Sequence, residues 1–486
     1  MLLALDQSTS ATKALVFSPQ GEVLARASRE HRQLYPQPGW VEHDPEEIWQ
    51  NTLAVLREVV EQHRHPISFL SLTNQRETIL IFDRKTSKPL HNALVWLDRR
   101  GDGICADLIR SGHESTVREK TGLKINTYFS ASKLKWLIQE KPGLAQKLKT
   151  GEAVIGTIDT YLIHRLTHGK TFATDFTNAS RTLLFNIAEL RWDPELCNLF
   201  EVSSRALPEV RESAAQFGDT DLEGLLPNPI PIAGVMGDSQ AALFAQRCFT
   251  PGTAKATFGT GTSVMLNVGS AFRLPEKGSV LALAWVLNGQ ATFALEGLIN
   301  FSAATIEWLK NQMGLIRDAS EVEALACSVP DNGGVHLVPA FAGLSAPYWS
   351  PDARAAILGM SAHTRREHIV RAALESIAYQ LRDVLDMMSA EGHRVTRIAA
   401  DGGPTRNQFL MQFSADITRA ELAVAQTTEL CAWGAALNGL LNQKICGSLQ
   451  DLERIGNTHI SYAPKLDSAQ ATALHHAWQQ AVRRVI

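Results

Sequence analysis

The chain has 486 residues, with 47 Lys plus Arg against 50 Asp plus Glu, a formal net charge of -3, 45% hydrophobic residues and 20% charged ones. That balance excludes a disordered or fibrous protein, and it lacks the basic excess that phosphate neutralisation asks of a nucleic-acid or anionic-lipid binder, so neither is an expected partner. A chain of this length exceeds a single hydrophobic core, so two or three domains are expected, each burying roughly three-quarters of its unfolded surface. Six cysteines, at 105, 197, 248, 327, 431 and 446, form no Cys-x-x-Cys pair and no zinc-like spacing with His, and read as reduced and mostly buried. There is no run of about 18 apolar residues, and Met1–Asp6 carries no basic leader, so a cytoplasmic protein without membrane insertion is expected.

In chain order, apolar Leu2–Leu5, the hydroxyl-rich Asp6-Gln-Ser-Thr-Ser-Ala-Thr-Lys13 and apolar Ala14–Phe17 read as a buried strand, a turn and a second strand. Asp44-Pro-Glu-Glu47 supplies a capping acid, a first-turn proline and an N3 glutamate, which predicts a helix from about Pro45. An apolar-rich run from Ile67 to Leu72 leads into Asn74-Gln-Arg76-Glu77-Thr78. Around 218 to 232, Pro227, Pro229 and Pro231 stand among short polar turns, and a boundary between halves is expected near residue 245. Just before it, Ile232–Met236 and Ala241–Phe244 place Asp238 at a strand-to-helix junction. Ala254–Phe258, Gly259-Thr-Gly-Thr-Ser263 and Val264–Val268 repeat the opening grammar with glycines in place of the acid, which predicts an internal duplication of two large halves. An amphipathic helix over His368–Met388 and a strand ending at Asp401-Gly-Gly403 complete an alternation that favours an α/β fold.

Several of these junctions admit both a structural and a chemical reading. The Asp6–Lys13 turn fits a tight hairpin, because Asp, Ser and Thr bond to their own backbone. It also carries the carboxylate, hydroxyls and lysine that hold magnesium and phosphate. Gly259, Thr260 and Gly261 form a second phosphate-cradle candidate, and Gly402-Gly403 is either a turn or a nucleotide floor. There is neither a P-loop nor a Rossmann glycine motif. Asp238 suits a helix N-cap, yet beside a hydroxyl substrate it would accept the proton as the oxygen attacks phosphorus. Arg76 and Glu77 suit a surface ion pair; in a polyol pocket they would donate to and accept from neighbouring hydroxyls.

Together these residues resemble the FGGY carbohydrate kinase family. Tyr128-Phe-Ser-Ala-Ser-Lys133-Leu-Lys-Trp136-Leu-Ile-Gln-Glu140 fits one family signature, and Ala355–Met360 with His368–Glu375 fits the other. Tyr35–Pro45, Thr73–Thr78, Thr177–Arg181 and Ala342–Trp349 are similar to strings of the glycerol-phosphorylating members. The resemblance implies two actin-like, ribonuclease-H-like domains, 1–245 for polyol and catalytic base and 246–486 for ATP, with the active site in the cleft between them. It implies ATP and Mg2+ as cofactors and a small polyol, glycerol foremost, as substrate, phosphorylated on a primary hydroxyl. Family members form dimers and tetramers, so a homodimer or homotetramer is implied. By carry-over, Asp238 is the general base, Asp6 holds the metal, and Thr9, Ser10 and Lys13 lie near the transferred phosphate. Arg76, Glu77, Trp96, Tyr128 and Asp238 fall on the polyol. Gly259, Thr260, Gly261, Ala303, Glu307, Gly402, Gly403 and Asn407 fall on the nucleotide.

The chain also departs from the pattern. Ser8 replaces a glycine and Lys13 an arginine in the opening hairpin, Ser239 a glutamine after Asp238, and Ser263 an aromatic on the polyol side. The last two changes would widen the pocket, which leaves a larger polyol or a ketose (erythritol, a pentitol, a xylulose-type sugar) as an alternative substrate. Ala303 and Glu307 replace a glycine and a glutamine near the nucleotide, where an acid needs a partner or an outward rotamer. With Ser8 and Lys13, they motivate a second alternative, a nucleotide-binding regulator with weakened catalysis. The basic, glycine-rich loop that binds a sugar bisphosphate inhibitor in some relatives has no counterpart in Asp221–Pro227.

Overall fold

The computed structural model describes residues 1–486 apart from positions 64, 277 and 457. Its first half is built on β1 (Leu2–Gln7), β2 (Ala11–Phe17), β3 (Val23–Glu30), β4 (Phe69–Asn74) and β5 (Ile230–Gly237), in the order β3-β2-β1-β4-β5 with Gln216–Thr220 on the outer edge. β1 and β2 pair antiparallel, with Asp6 opposite Lys13, while β4 and β5 run parallel to β1. The expected turn is therefore shorter than its composition suggests: only Ser8, Thr9 and Ser10 leave the ladder, because the flanking polar residues can pair through their main chains. Helix α1 (Pro45–Gln62) starts where its capping residues predict, the Asp44 carboxylate accepting from the Glu46 amide at 2.9 Å. Helix α2 (Asp238–Ala245) follows β5 directly.

The second half repeats this plan. β6 (Thr253–Phe258), β7 (Thr262–Gly269), β8 (Gln290–Ile299), β9 (Arg397–Asp401) and β10 (Glu421–Ala425) lie in the order β8-β7-β6-β9-β10. Again an antiparallel pair is followed by two parallel strands, β9 and β10. The duplication read from the two hairpins thus extends over five strands. α3 (Ala303–Asn311), α4 (Arg366–Ser389) and α5 (Gln408–Thr418) accompany this sheet. α4 contains the expected amphipathic stretch, with Val370, Ala373, Ile377, Leu381 and Val384 in the core.

One helix ties the halves together. α6 (Leu430–Asn442) belongs to the second half by sequence, yet its Trp433, Leu437 and Leu440 share a core with Ala4, Phe17, Phe69 and Met236 of the first. The approach is close because glycines line it: a Cβ on Gly434 would lie 1.9 Å from the Ala241 carbonyl oxygen, and one on Gly439 2.4 Å from that of Ala233. All six cysteines are free; Cys105, Cys197, Cys248 and Cys446 are buried, Cys431 is half-buried and Cys327 is exposed. Among the described residues no helix is long and apolar enough to cross a membrane.

Candidate active site

Parallel strands end on one edge of a sheet, so residues just past β1, β4 and β5 must come together even though 74 and 238 are far apart in sequence. β1 delivers Asp6, the loop after β4 delivers Arg76 and Glu77, and β5 delivers Asp238. The hairpin tip is fixed from outside: the Trp96 indole donates to the Thr9 hydroxyl at 2.9 Å, and His31 Nε2 lies 2.9 Å from the Thr9 carbonyl. Ser10 is exposed at the tip. Trp96 and Tyr128 meet edge to face at 5.3 Å and form an aromatic wall beside Arg76 and Glu77.

Arg76 and Glu77 do not form a surface pair. Arg76 is 4% and Glu77 1% exposed. The Arg76 guanidinium contacts Asp238 at 3.3 Å, Glu296 at 3.0 Å and Glu77 at 3.8 Å, and donates to Gln240 at 3.2 Å. Arg181 completes the cluster, donating to Glu77 at 2.6 Å and contacting Glu296 at 2.8 Å. Charges this deeply buried persist only when paired, and two arginines against Glu77 and Glu296 achieve that. Burial alone would push the Glu296 carboxyl up, but Arg181 and Arg76 hold it at about 2. Burial raises Glu77 above the ordinary carboxylate range, against the pull of both arginines. Glu77 also sits at φ 62°, the centre of a three-residue turn closed by the Thr78 amide on the Arg76 carbonyl at 2.7 Å. Such a left-handed turn is strained for a side-chain-bearing residue, and the Ser130 hydroxyl on the Glu77 carbonyl at 2.8 Å helps to hold it.

Asp238 is the first residue of α2 rather than its cap; Gly237 occupies the cap position. Its carboxylate accepts from the Ser239 amide at 2.6 Å, and its side chain is 36% exposed, so it is pinned yet accessible. Asp6 is pushed by burial up to about 7, Lys13 opposing the rise and Asp238 and Glu429 adding to it. No hydrogen bond reaches the Asp6 carboxylate among the described residues. Lys13 contacts Glu429 at 3.5 Å, and Arg26 contacts the same carboxylate at 3.1 Å. Among the described residues the buried Ser263 hydroxyl has no partner. Ser263 pairs across the sheet with Leu298, two residues from Glu296.

The second half supplies a cavity of about 510 Å³ between α3, α4 and α5. Ala303, Glu307, Gly403 and Asn407 all line it, so four of the expected nucleotide residues converge there. Glu307 has found its partner one turn along α3, where Asn311 donates to it at 3.3 Å. Asn407 caps α5 through the Leu410 amide at 2.8 Å. Gly402 stands at φ 98°, and a Cβ there would lie 1.8 Å from the Phe258 carbonyl oxygen, so only glycine lets these two loops touch. The Gly259 and Thr260 carbonyls accept from the Ala303, Ser302 and Ala304 amides, which docks the first turn of α3 onto the glycine hairpin. Gly261 fits because a Cβ would meet the Ile299 carbonyl oxygen at 2.3 Å.

The N-terminal-domain model of the FGGY family of carbohydrate kinases matches residues 1–245, and the C-terminal-domain model matches residues 254–442. The chain belongs to the FGGY family of carbohydrate kinases. It is 46% identical over 489 residues to "Glycerol kinase 1" of Thermotoga maritima, a match that covers 100% of this chain and 99% of that one. It is also 46% identical to the glycerol kinase of Leptothrix cholodnii, over 100% and 99% of the two chains. The solved glycerol kinase of Plasmodium falciparum with ADP superposes with a TM-score of 0.96 at 37% identity, over 100% of this chain and 98% of that one. Three residues that contact the candidate site residues, Arg181, Glu296 and Glu429, are not singled out by the sequence reading. Glu296 carried a legible signal, as a lone acid in the apolar run Ala294-Leu-Glu-Gly-Leu-Ile299, which a buried strand tolerates only with a cationic partner.

Proposed function

We propose that the protein transfers the terminal phosphoryl group of ATP to a primary hydroxyl of glycerol, forming glycerol 3-phosphate. What carries the reading is the Arg76 cluster, which gathers Glu77 and Asp238 of one half and Glu296 of the other beside an aromatic wall, in a chain 46% identical to a glycerol kinase from end to end. Arg76 donates to one substrate oxygen and Glu77 accepts from the next, while Trp96 and Tyr128 cover the carbon face. Asp238, accessible and held by Arg76, accepts the proton of the attacking hydroxyl. Thr9, Ser10 and Lys13 attend the transferred group, and the cavity at Ala303, Glu307, Gly403 and Asn407 takes the nucleoside.

Asp6 would hold magnesium: its carboxylate is free of hydrogen bonds among the described residues, and Mg2+ is typically bound by one or two carboxylates together with phosphate oxygens. Bound there, the ion would supply neutralisation of phosphate charge. The proposal includes domains of 1–245 and 246–486, a homodimer or homotetramer, and a cytoplasmic location; sedimentation and cell fractionation test the last two.

A coupled ADP-release assay across glycerol, erythritol, pentitols, xylulose and ribulose tests the substrate. Glycerol should lead in kcat/KM by at least about tenfold. The unpartnered Ser263 hydroxyl favours a second reading, in which an additional substrate hydroxyl meets it; preference for a four- or five-carbon compound would establish that reading, and turnover of none would remove both.

A further inference from the structure

A polar cavity of about 530 Å³ lies at the far end of the strands that lead to the nucleotide loops. Arg247, Thr250, Thr253, Arg397, Glu453 and Arg454 line it. Thr253 opens β6 and Arg397 opens β9, whereas Gly259 and Gly402 follow their other ends. At about 3.3 Å per residue the two sites stand roughly 17–20 Å apart.

Three guanidinium groups line this cavity against one acid. Arg247 is 7% exposed and stands at φ 57° just past α2. Its Nε donates to the Leu452 carbonyl at 3.1 Å and its Nη1 to that of Ala245 at 2.5 Å, but its Nη2 has no acceptor among the described residues. It has no carboxylate within ion-pair distance among the described residues. Burial draws this guanidinium down to about 10, against the weaker opposing pull of Glu453 and Cys446. Arg397 has neither a hydrogen bond nor an ion pair from its side chain among the described residues. Arg454 pairs with Asp451 at 3.5 Å and is largely exposed. A buried donor without an acceptor is costly to maintain, and a planar guanidinium matches phosphate oxygens in geometry and charge.

We propose that this cavity is a binding site for a small phosphate-bearing anion, separate from the catalytic cleft, with Arg247 and Arg397 as its principal ligands. Its volume exceeds that of a bare phosphate and accommodates a phosphate ester.

The test uses the full chain with the cleft occupied by ADP, magnesium and glycerol, so that phosphate cannot be read out there. Inorganic phosphate is titrated against chloride at matched ionic strength and followed by thermal shift and calorimetry. A saturable rise in Tm is expected with phosphate alone. R397A, at a half-exposed position, should weaken binding at least about tenfold while leaving glycerol turnover unchanged, and R247M should weaken it further. A parallel titration with glucose 6-phosphate separates the sources: tighter binding than phosphate assigns the cavity to an ester, weaker binding to the free ion. Absence of a saturable shift with both anions, or equal shifts in wild type and R397A, overturns the proposal. Because R397A folds or fails independently of R247M, misfolding of the buried variant alone leaves the decision to R397A.

Discussion

Arg76 is buried at the meeting point of three carboxylates, while Asp238, on its accessible side, keeps a third of its side chain in solvent. Asp238→Asn keeps the shape and removes the proton acceptor, so kcat should fall by about 10²–10⁴ with little change in the KM for ATP, measured by steady-state kinetics. Glu296→Gln should act differently. It leaves Glu77 as the one carboxylate that both arginines share, with Asp238 beside Arg76 alone, so we expect a loss of about 3–5 kcal/mol in urea unfolding together with a raised KM for the polyol. Asp6 has the opposite electrostatic sign. Its folded value, about 7, lies above the model-compound 3.8, so the folded state holds the proton more tightly. Ionising it therefore lowers stability, beginning above about pH 4 and fully by pH 8. Without nucleotide or metal, Asp6→Asn should gain on wild type by on the order of 2–4 kcal/mol more at pH 8 than at pH 4 in urea titrations. A gain independent of pH would assign the effect to packing.

Elements place these residues through register and close approach. The Asp6 to Lys13 pairing puts both side chains on one face of the hairpin, and the parallel β4 and β5 bring Arg76 and Asp238 to the same edge. On the nucleotide side the loops after β6 and β9 touch only because Gly402 has no side chain. Gly402→Ala combines a φ of 98° with a Cβ 1.8 Å from the Phe258 carbonyl oxygen, so it should destabilise by more than about 2 kcal/mol and weaken ADP binding, read by calorimetry. The capping acid before α1 and the apolar spacing of α4 were legible because both are local. The opening turn was overestimated for the same reason: Asp, Ser and Thr favour turns, but main-chain pairing does not depend on side-chain polarity.

At the scale of the molecule, the halves are joined by ion pairs as well as by the core under α6. Arg76 and Arg181 reach Glu296, while Lys13 and Arg26 reach Glu429. Each half has a core of its own, but a further hydrophobic cluster joins Leu2 and Phe69 of the first half to Met265 and Leu437 of the second, so part of each half's apolar surface is buried only against the other. Calorimetry should therefore show the two halves unfolding in one transition, shifted upward as a unit by ADP with glycerol. Two separated transitions would show that the shared cluster does not couple them.

The sequence by itself determined the α/β alternation, the repeated hairpins, the helix starts and the residue types able to perform phosphoryl transfer, because these depend on short-range periodicity, capping chemistry and motif spacing. Only the tertiary structure decided what those residues do to one another. Arg76 and Glu77 look like a solvated pair in sequence, yet they are buried because Glu296, about 220 positions away, and Arg181 arrive to balance them. The Glu429 contact with Lys13 and the unsatisfied Arg247 donor were likewise set by neighbours distant in the chain or by burial. Charge balance in a low-dielectric interior is a property of the assembled fold, and local sequence does not encode which partners will be present.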